Sequence, residues 1–266
     1  MTRSLQALRD WVGQGSAVTA DGYRSLAVAA GKGGVGVSTT SSLLALGAAA
    51  AGRRTLLVDA APSGGSLSAV LGVDVDAAVN GGASGFAFHE ISPRLRFTGL
   101  RPARWHGPGE RQAALRRLGS HYAEQDFVII DAGATSDGVL AVLTAGVERL
   151  LAVSTADRLS VVATYALIKL VNERFPGLPV TVLLNHCEPA EGASAFARIA
   201  SGVEAFLGRT VTPAGTLPSD EALRATSEAG VSPMSIEGPA AHAARLLAEL
   251  LSARPARRPR TPMRLS

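Results

Sequence analysis

Cysteine is nearly missing: Cys187 is the only one in 266 residues. A disulfide framework is therefore excluded, and the composition suits a reducing compartment, which leads us to expect a cytoplasmic protein. Long apolar runs are missing as well. Crossing a bilayer takes about 20 apolar residues, and the longest apolar stretches, Leu43–Ala51 and Val139–Val147, are far shorter. The N-terminus lacks the basic, then apolar, then small-residue order of a secretory signal. The histidines at 89, 106, 121, 186 and 242 show no metal-ligand spacing, and no segment repeats. Cys187, next to His186 and just past an apolar strand, reads as a buried cysteine rather than a nucleophile.

What is present fits a soluble α/β protein with a large core: 47% of residues are apolar and 18% charged. The formal net charge is +4, but residues 254–266 hold five arginines and no acid, so taking five from +4 leaves the remainder at −1. The basic character belongs to the tail, which argues against a nucleic-acid-binding face on the globule.

Three segments follow from pattern. Residues 1–24 place Leu5, Leu8, Trp11 and Val12 at helical spacing over Ser4–Val12, followed by a Gly/Ser-rich connector. Residues 25–253 alternate short apolar runs with helices. Residues 254–266 mix arginine with proline and read as a disordered tail. The strands are expected at Ser25–Ala30, Arg54–Asp59, Arg94–Leu100, Asp126–Asp131, Arg149–Thr155, Pro179–Asn185 and, more weakly, Thr212–Leu217. Runs such as TLLVD and FVIID are apolar throughout, which implies burial on both faces. The expectation is an α/β fold: a mostly parallel twisted sheet of about seven strands with helices on both faces. Helices are expected at Ser38–Ala51, Gly109–Ala123, Ser136–Gly146, Ser160–Arg174, Gly192–Leu207, Asp220–Ala229 and Pro239–Ala253. Ser136, Ser160 and either Ser219 or Asp220 are the expected caps.

The chemistry sits after the first strand, where Ala29–Ser42 reads AAGKGGVGVSTTSS. A strand, a glycine-rich loop and a helix form an anion cradle, because bare backbone N–H groups and the helix N-terminus both face the ligand. The pattern G-x-x-x-x-G-K-[ST] is met by Gly31, Gly36 and Ser38, but position 37, normally lysine, is Val37. The coincidence of strand, glycines, serine and helix favours a phosphate site over a plain turn.

An additional lysine, Lys32, precedes Gly33, Gly34, Val35 and Gly36, with Thr39 after Ser38. This stretch resembles the deviant Walker A loop of the MinD/ParA family, K-G-G-x-G-K-[ST], and only its second lysine is missing. The resemblance spans about residues 24–252. It implies bound ATP or ADP with Mg²⁺, an early lysine that reaches a partner's nucleotide in a sandwich dimer, and Mg²⁺ near Ser38, Asp59 and Asp131, the aspartates acting through water. It also implies that Asn185 reads adenine and that Pro218 flanks it. The family's D-x-D is Asp59-Ala60-Ala61 here, so the aspartate that orients water is replaced by Ala61. TYALIKLVN at Thr164–Asn172 and LLNHCEPAEG at Leu183–Gly192 resemble the flagellar-number regulators FlhG and FleN. The QALR of Gln6–Arg9 is similar to that branch's segment for stimulating the GTPase FlhF, which marks Gln6 and Arg9 as partner-binding candidates.

Losing a lysine that contacts the β/γ-phosphates and a carboxylate that positions water would each cost about 10²–10⁴ in rate. The resemblance together with these losses implies a regulator with weak or absent hydrolysis, acting through protein partners in flagellar number or placement. Two alternatives stand beside it: a working ATP-dependent dimerising switch, and a DNA-bound positioning factor using the arginine tail. Lys32 could fold back in cis to replace the lost charge. The arginines at 94, 96, 101, 104, 111, 116 and 117 read as a solvated face. The tail arginines allow a weak, salt-sensitive contact with the inner face of the membrane, each worth about 1 kcal/mol.

Overall fold

The computed structural model describes residues 25–62, 66–73, 86–100, 108–228 and 238–252. Gln6, Arg9, the expected N-terminal helix and the arginine tail lie outside the described residues, as do Arg101, Arg104, Trp105 and His106.

Eight strands form one sheet: β1 (Ser25–Ala29), β2 (Thr55–Asp59), β3 (His89–Ser92), β4 (Leu95–Gly99), β5 (Phe127–Gly133), β6 (Arg149–Ser154), β7 (Val180–Asn185) and β8 (Thr212–Leu217). Their order is β3-β4-β2-β5-β1-β6-β7-β8, and every neighbouring pair is parallel except β3–β4. The continuously apolar runs are continuously buried: β1, β2, β6 and β7 are covered at every position. Alternate residues feed two separate cores, as a period of two requires. Leu26, Val28 and Leu57 face one side, Ala27, Ala29, Leu56 and Val58 the other.

The first core is roofed by α1 (Val37–Ala50), α2 (Ser66–Leu71), α7 (Glu221–Glu228) and α8 (Pro239–Ser252). The second lies under α3 (Pro108–Leu118), α4 (Ser136–Thr144), α5 (Arg158–Arg174) and α6 (Pro189–Leu207). None of the described helices is long and apolar enough to cross a membrane.

The eighth strand, β3, was not expected. It is a short antiparallel edge, partly exposed along its length, and so carries no continuous apolar run. Side-chain stacking ties this corner down: Arg96 lies 4.5 Å over the Phe88 ring, and His89 meets Phe97 at 6.0 Å. The short α2 was not expected either.

Two of the expected caps are corrected. Thr135, not Ser136, accepts from Gly138 N–H at 3.3 Å, and Asp157, not Ser160, accepts from Ser160 N–H at 3.0 Å. A cap must sit before the N–H it receives, and Ser160 is itself the donor. Asp220 does cap α7, accepting from Leu223 N–H at 3.1 Å. Helix α6 starts earlier than expected, at Pro189, because proline fits a first helical position whose N–H has no helical partner.

Helices α1 and α8 approach closely. A β-carbon on Gly47 would lie 2.9 Å from Ala248 Cβ and 3.0 Å from Arg245 Cα. Glycine to alanine inside a helix ordinarily gains about 0.5–1 kcal/mol. Here overpacking reverses the sign, and Gly47→Ala is expected to lose about 1–3 kcal/mol in urea unfolding.

Candidate functional site

Strand β1 lies in the middle of the sheet, and the chain winds outward from it on both sides. Its C-terminal end is a place where an open α/β sheet leaves a crevice. The loop Gly31–Gly36 fills that position. Gly34 and Gly36 have φ of 80° and 89°, a left-handed backbone that glycine adopts without penalty. Gly31 has no room for a side chain, because its β-carbon would collide with the Ala163 carbonyl of α5. Gly36 precedes α1 with no side-chain cap, so the first-turn N–H groups stay open to an anion. Ser38 and Thr39 stand half-buried at this mouth.

Val37 points elsewhere. It is 8% exposed and packs in the same apolar cluster as Val35, Leu183 and Leu217. Lys32 is partly exposed, and its ammonium lies 3.8 Å from Asp157 Oδ1. The Ser160 hydroxyl, then the Thr155 hydroxyl, hold the Asp157 carboxyl well below the usual range, with Lys32 adding a smaller pull. Lys32 thus lies within ion-pair reach of the cap of α5.

Asp59 and Asp131 are opposite each other in the β2–β5 register, and both are buried. Asp59 Oδ1 accepts from Ala61 N–H at 3.2 Å, and Asp131 Oδ1 accepts from Gly133 N–H at 2.8 Å. Among the described residues, none donates a hydrogen bond to the buried Asp131 Oδ2. Burial raises the Asp131 carboxyl to about 6, and the Asp59 charge adds to the rise; the nearby Ser38 hydroxyl and Gly133 N–H oppose it.

Beside them Ala61 is buried and closely packed. A β-carbon on Gly133 would come within 3.1 Å of Ala61 Cβ, and one on Gly138 within 2.6 Å of Pro62 Cδ. Hydrocarbon therefore fills the surroundings of position 61.

Asn185 ends β7, next to Leu217 and hence to Pro218. Its amide donates to Val35 O at 2.9 Å, and a β-carbon on Gly36 would lie 2.4 Å from that nitrogen. Asn185 is thus a strut behind the loop. The fold brings Gly31–Thr39, Asp59, Asp131, Asn185 and Pro218 to one edge of the sheet.

Sequence reasoning missed three neighbours. Asp157 was not singled out at all. His186 is, among the described residues, the one non-glycine at positive φ, 55°, and its ring approaches the Gly36 position. Arg111 was grouped with the solvated arginines. Burial lowers its pKa, and the carboxylates of Asp137 and then Asp59 push it back up. Of the other arginines in that group, Arg94, Arg116 and Arg117 are exposed, and Arg96 lies 3.7 Å from Glu124.

The Asp131 shift has a defined sign. An acid whose pKa is raised from 3.8 to about 6 on folding disfavours the native state when ionised. Its contribution to stability therefore improves as pH falls from about 7 to about 4. Asp131→Asn is expected to stabilise the ligand-free protein by about 2–3 kcal/mol at pH 7.5, with the gain shrinking toward zero near pH 4 in denaturant titrations.

The chain can now be compared with known proteins. A family model described as ParA, the NUBPL iron-transfer P-loop NTPase, matches residues 23–252. The antiactivator FleN of Pseudomonas aeruginosa is 30% identical over 210 residues, covering 75% of each chain. The septum site-determining protein MinD of Pyrococcus horikoshii, solved with Mg-ADP, superposes with a TM-score of 0.67 at 20% identity, over 85% of this chain and 95% of that one. A ParA-family ATPase from Chlorobium tepidum gives a TM-score of 0.65 at 21% identity, over 87% and 99%. Iron transfer finds no thiol pair here: Cys187 is the single cysteine, it is buried, and burial raises its pKa to about 11. The breadth of the family match, together with the FleN similarity, shows that the chain belongs to the MinD/ParA family of P-loop NTPases.

Proposed function

We propose that this protein is a nucleotide-binding regulator that works through protein partners, with ATP hydrolysis reduced to little or nothing. The carrying observation is that both altered positions are packed shut. Val37 is turned into the core, and Ala61 with Pro62 closes on Gly133 and Gly138. No ammonium reaches the phosphates from position 37, and no carboxylate can hold water at position 61.

The cradle itself is intact in form. Its uncapped helix N-terminus, left-handed glycines and Asn185 strut suit the phosphates and base of ATP or ADP. The buried, unpartnered Oδ2 of Asp131, next to Asp59 and Ser38, suits Mg²⁺, which would neutralise charge on the β- and γ-phosphates. Ser38 would bind the ion directly, and the two aspartates would hold its waters. MinD of Pyrococcus horikoshii was solved with Mg-ADP, which supports the same ligand class here.

The similarity to the antiactivator FleN supports a role in flagellar number or placement. Partners on this reading are an FlhF-like GTPase met by Gln6 and Arg9, a flagellar basal-body or regulatory protein, and a second copy bridged by nucleotide. The place of action is the cytoplasm, with weak contact at the inner membrane face or cell pole through the arginine tail.

Calorimetry with ATP and Mg²⁺ measures binding, and phosphate release measures turnover. The expectation is detectable binding with turnover at background. Val37→Lys combined with Ala61→Asp should raise phosphate release by about 10²-fold or more, since each restored group is worth 10²–10⁴. Turnover by the native chain equal to that of the double variant would refute the reading.

A further inference from the structure

The second half of α1 is apolar on every side: from Leu43 to Ala50 each residue is aliphatic or glycine. Such a helix is ordinarily covered all round. Leu44, Ala45 and Ala48 turn into the first core. Leu43, Leu46, Gly47 and Ala50 recur at the spacing of a different helical face, and that face floors an open cleft of about 520 Å³. The volume falls within the range of small-molecule sites, about 300–1,000 Å³.

Two other elements wall the cleft. From α8 come Ala241 and Arg245, seated by the close approach at Gly47, where a β-carbon would lie 3.0 Å from Arg245 Cα. From the β3–β4 turn come Pro93 and Arg94, and Thr55 N–H fixes that turn to the start of β2 by donating to Arg94 O at 2.8 Å. Since β4 runs parallel to β2, the turn lies at the edge of the sheet opposite Asp59 and the cradle. The charged side chains lining the cleft are one arginine from each wall, and both are exposed.

A hydrocarbon floor bordered by guanidinium groups has a definite complement. An alkyl chain gains by leaving water against leucine and alanine. A carboxylate or phosphate can take two parallel hydrogen bonds from a guanidinium fork. Inorganic phosphate would use the arginines and leave the floor wet, and a cationic head would be repelled by both. A cleft of this size takes a compact ligand rather than the broad surface of a folded partner. We propose that it binds a single-chain amphipathic anion, with the alkyl body on the α1 face and a carboxylate or phosphate head held by Arg94 and Arg245. The site stands apart from the cradle and does not depend on the nucleotide-binding reading.

The test is calorimetric titration of the full chain with decanoate and decyl phosphate, set against neutral decanol, cationic decylamine and inorganic phosphate. Arg94→Gln, Arg245→Gln, the two combined, both arginines changed to lysine, and Ala50→Leu are compared with the native protein. Thermal unfolding without ligand checks the fold of each, and the single glutamine variants carry the comparison if the double one does not fold. Decanoate and decyl phosphate should bind about 10–100-fold more tightly than decanol, the worth of a charged hydrogen bond. The double glutamine variant should lose the same factor for the anions and leave decanol unchanged, and the lysine pair should restore part of it. Ala50 is exposed at the cleft, so leucine there adds bulk to the floor and should weaken decanoate and decanol alike. Equal affinity for decanoate and decanol would overturn the anionic head, and inorganic phosphate binding as tightly as decyl phosphate would overturn the alkyl body. Anion binding unchanged by every variant would place it elsewhere and overturn the site, as would no binding of either anion. Arginine-dependent recruitment to phosphatidylglycerol vesicles without binding of the free anions would assign the arginines to a lipid surface and overturn the small-ligand reading.

Discussion

Asp59 and Asp131 end adjacent parallel strands in register, and both are buried, so two negative charges face each other where water screens them poorly. Each is partly offset by one backbone N–H from the turn that follows it, Ala61 for one and Gly133 for the other. That does not complete the account, because among the described residues one oxygen of Asp131 finds no donor. Much around this edge offsets the deficit. The positive end of α1 opens beside it, and the Ser38 hydroxyl leans toward it. The protein thus carries a local electrostatic cost in the ligand-free state that a bound cation would relieve. Such costs are found where a site is shaped for a ligand rather than for stability.

The same edge keeps the backbone form of a phosphate site while positions 37 and 61 carry hydrocarbon. The form rests on backbone features: the left-handed Gly34 and Gly36, the side-chain-free contact of Gly31 with α5, and the Asn185 amide holding Val35. None of these needs the residues at 37 and 61. Those two positions are instead used for packing, Val37 in the cluster under α1 and Ala61 against Gly133. The backbone form of the loop therefore rests on atoms other than those at positions 37 and 61.

The parallel strands were legible because burial on both faces writes an unbroken apolar run, as in TLLVD and FVIID. The loop was legible because only glycine tolerates its backbone and its close contacts. The edge strand β3 was not, since a half-exposed strand held by Arg96, Phe88 and Phe97 has no such signature. The caps of α4 and α5 were misplaced by one and three residues because several Ser, Thr and Asp residues cluster before each helix, and only geometry says which one accepts the bond. Of the site, the residues in the motif could be read directly. Asp157 could not, because it meets Lys32 from the start of α5, far along the chain. His186 left only a faint signal, a histidine directly after a strand-ending asparagine, a residue type that tolerates the left-handed region better than most.

Helix α1 begins at the cradle and, one turn before its end, meets α8 with no side chain between them at Gly47. Its fourteen residues make a rod about 20 Å long. The last described helix thus takes its seat on the sheet from a bare glycine near the end of the helix that opens the cradle, two segments that lie far apart in the chain.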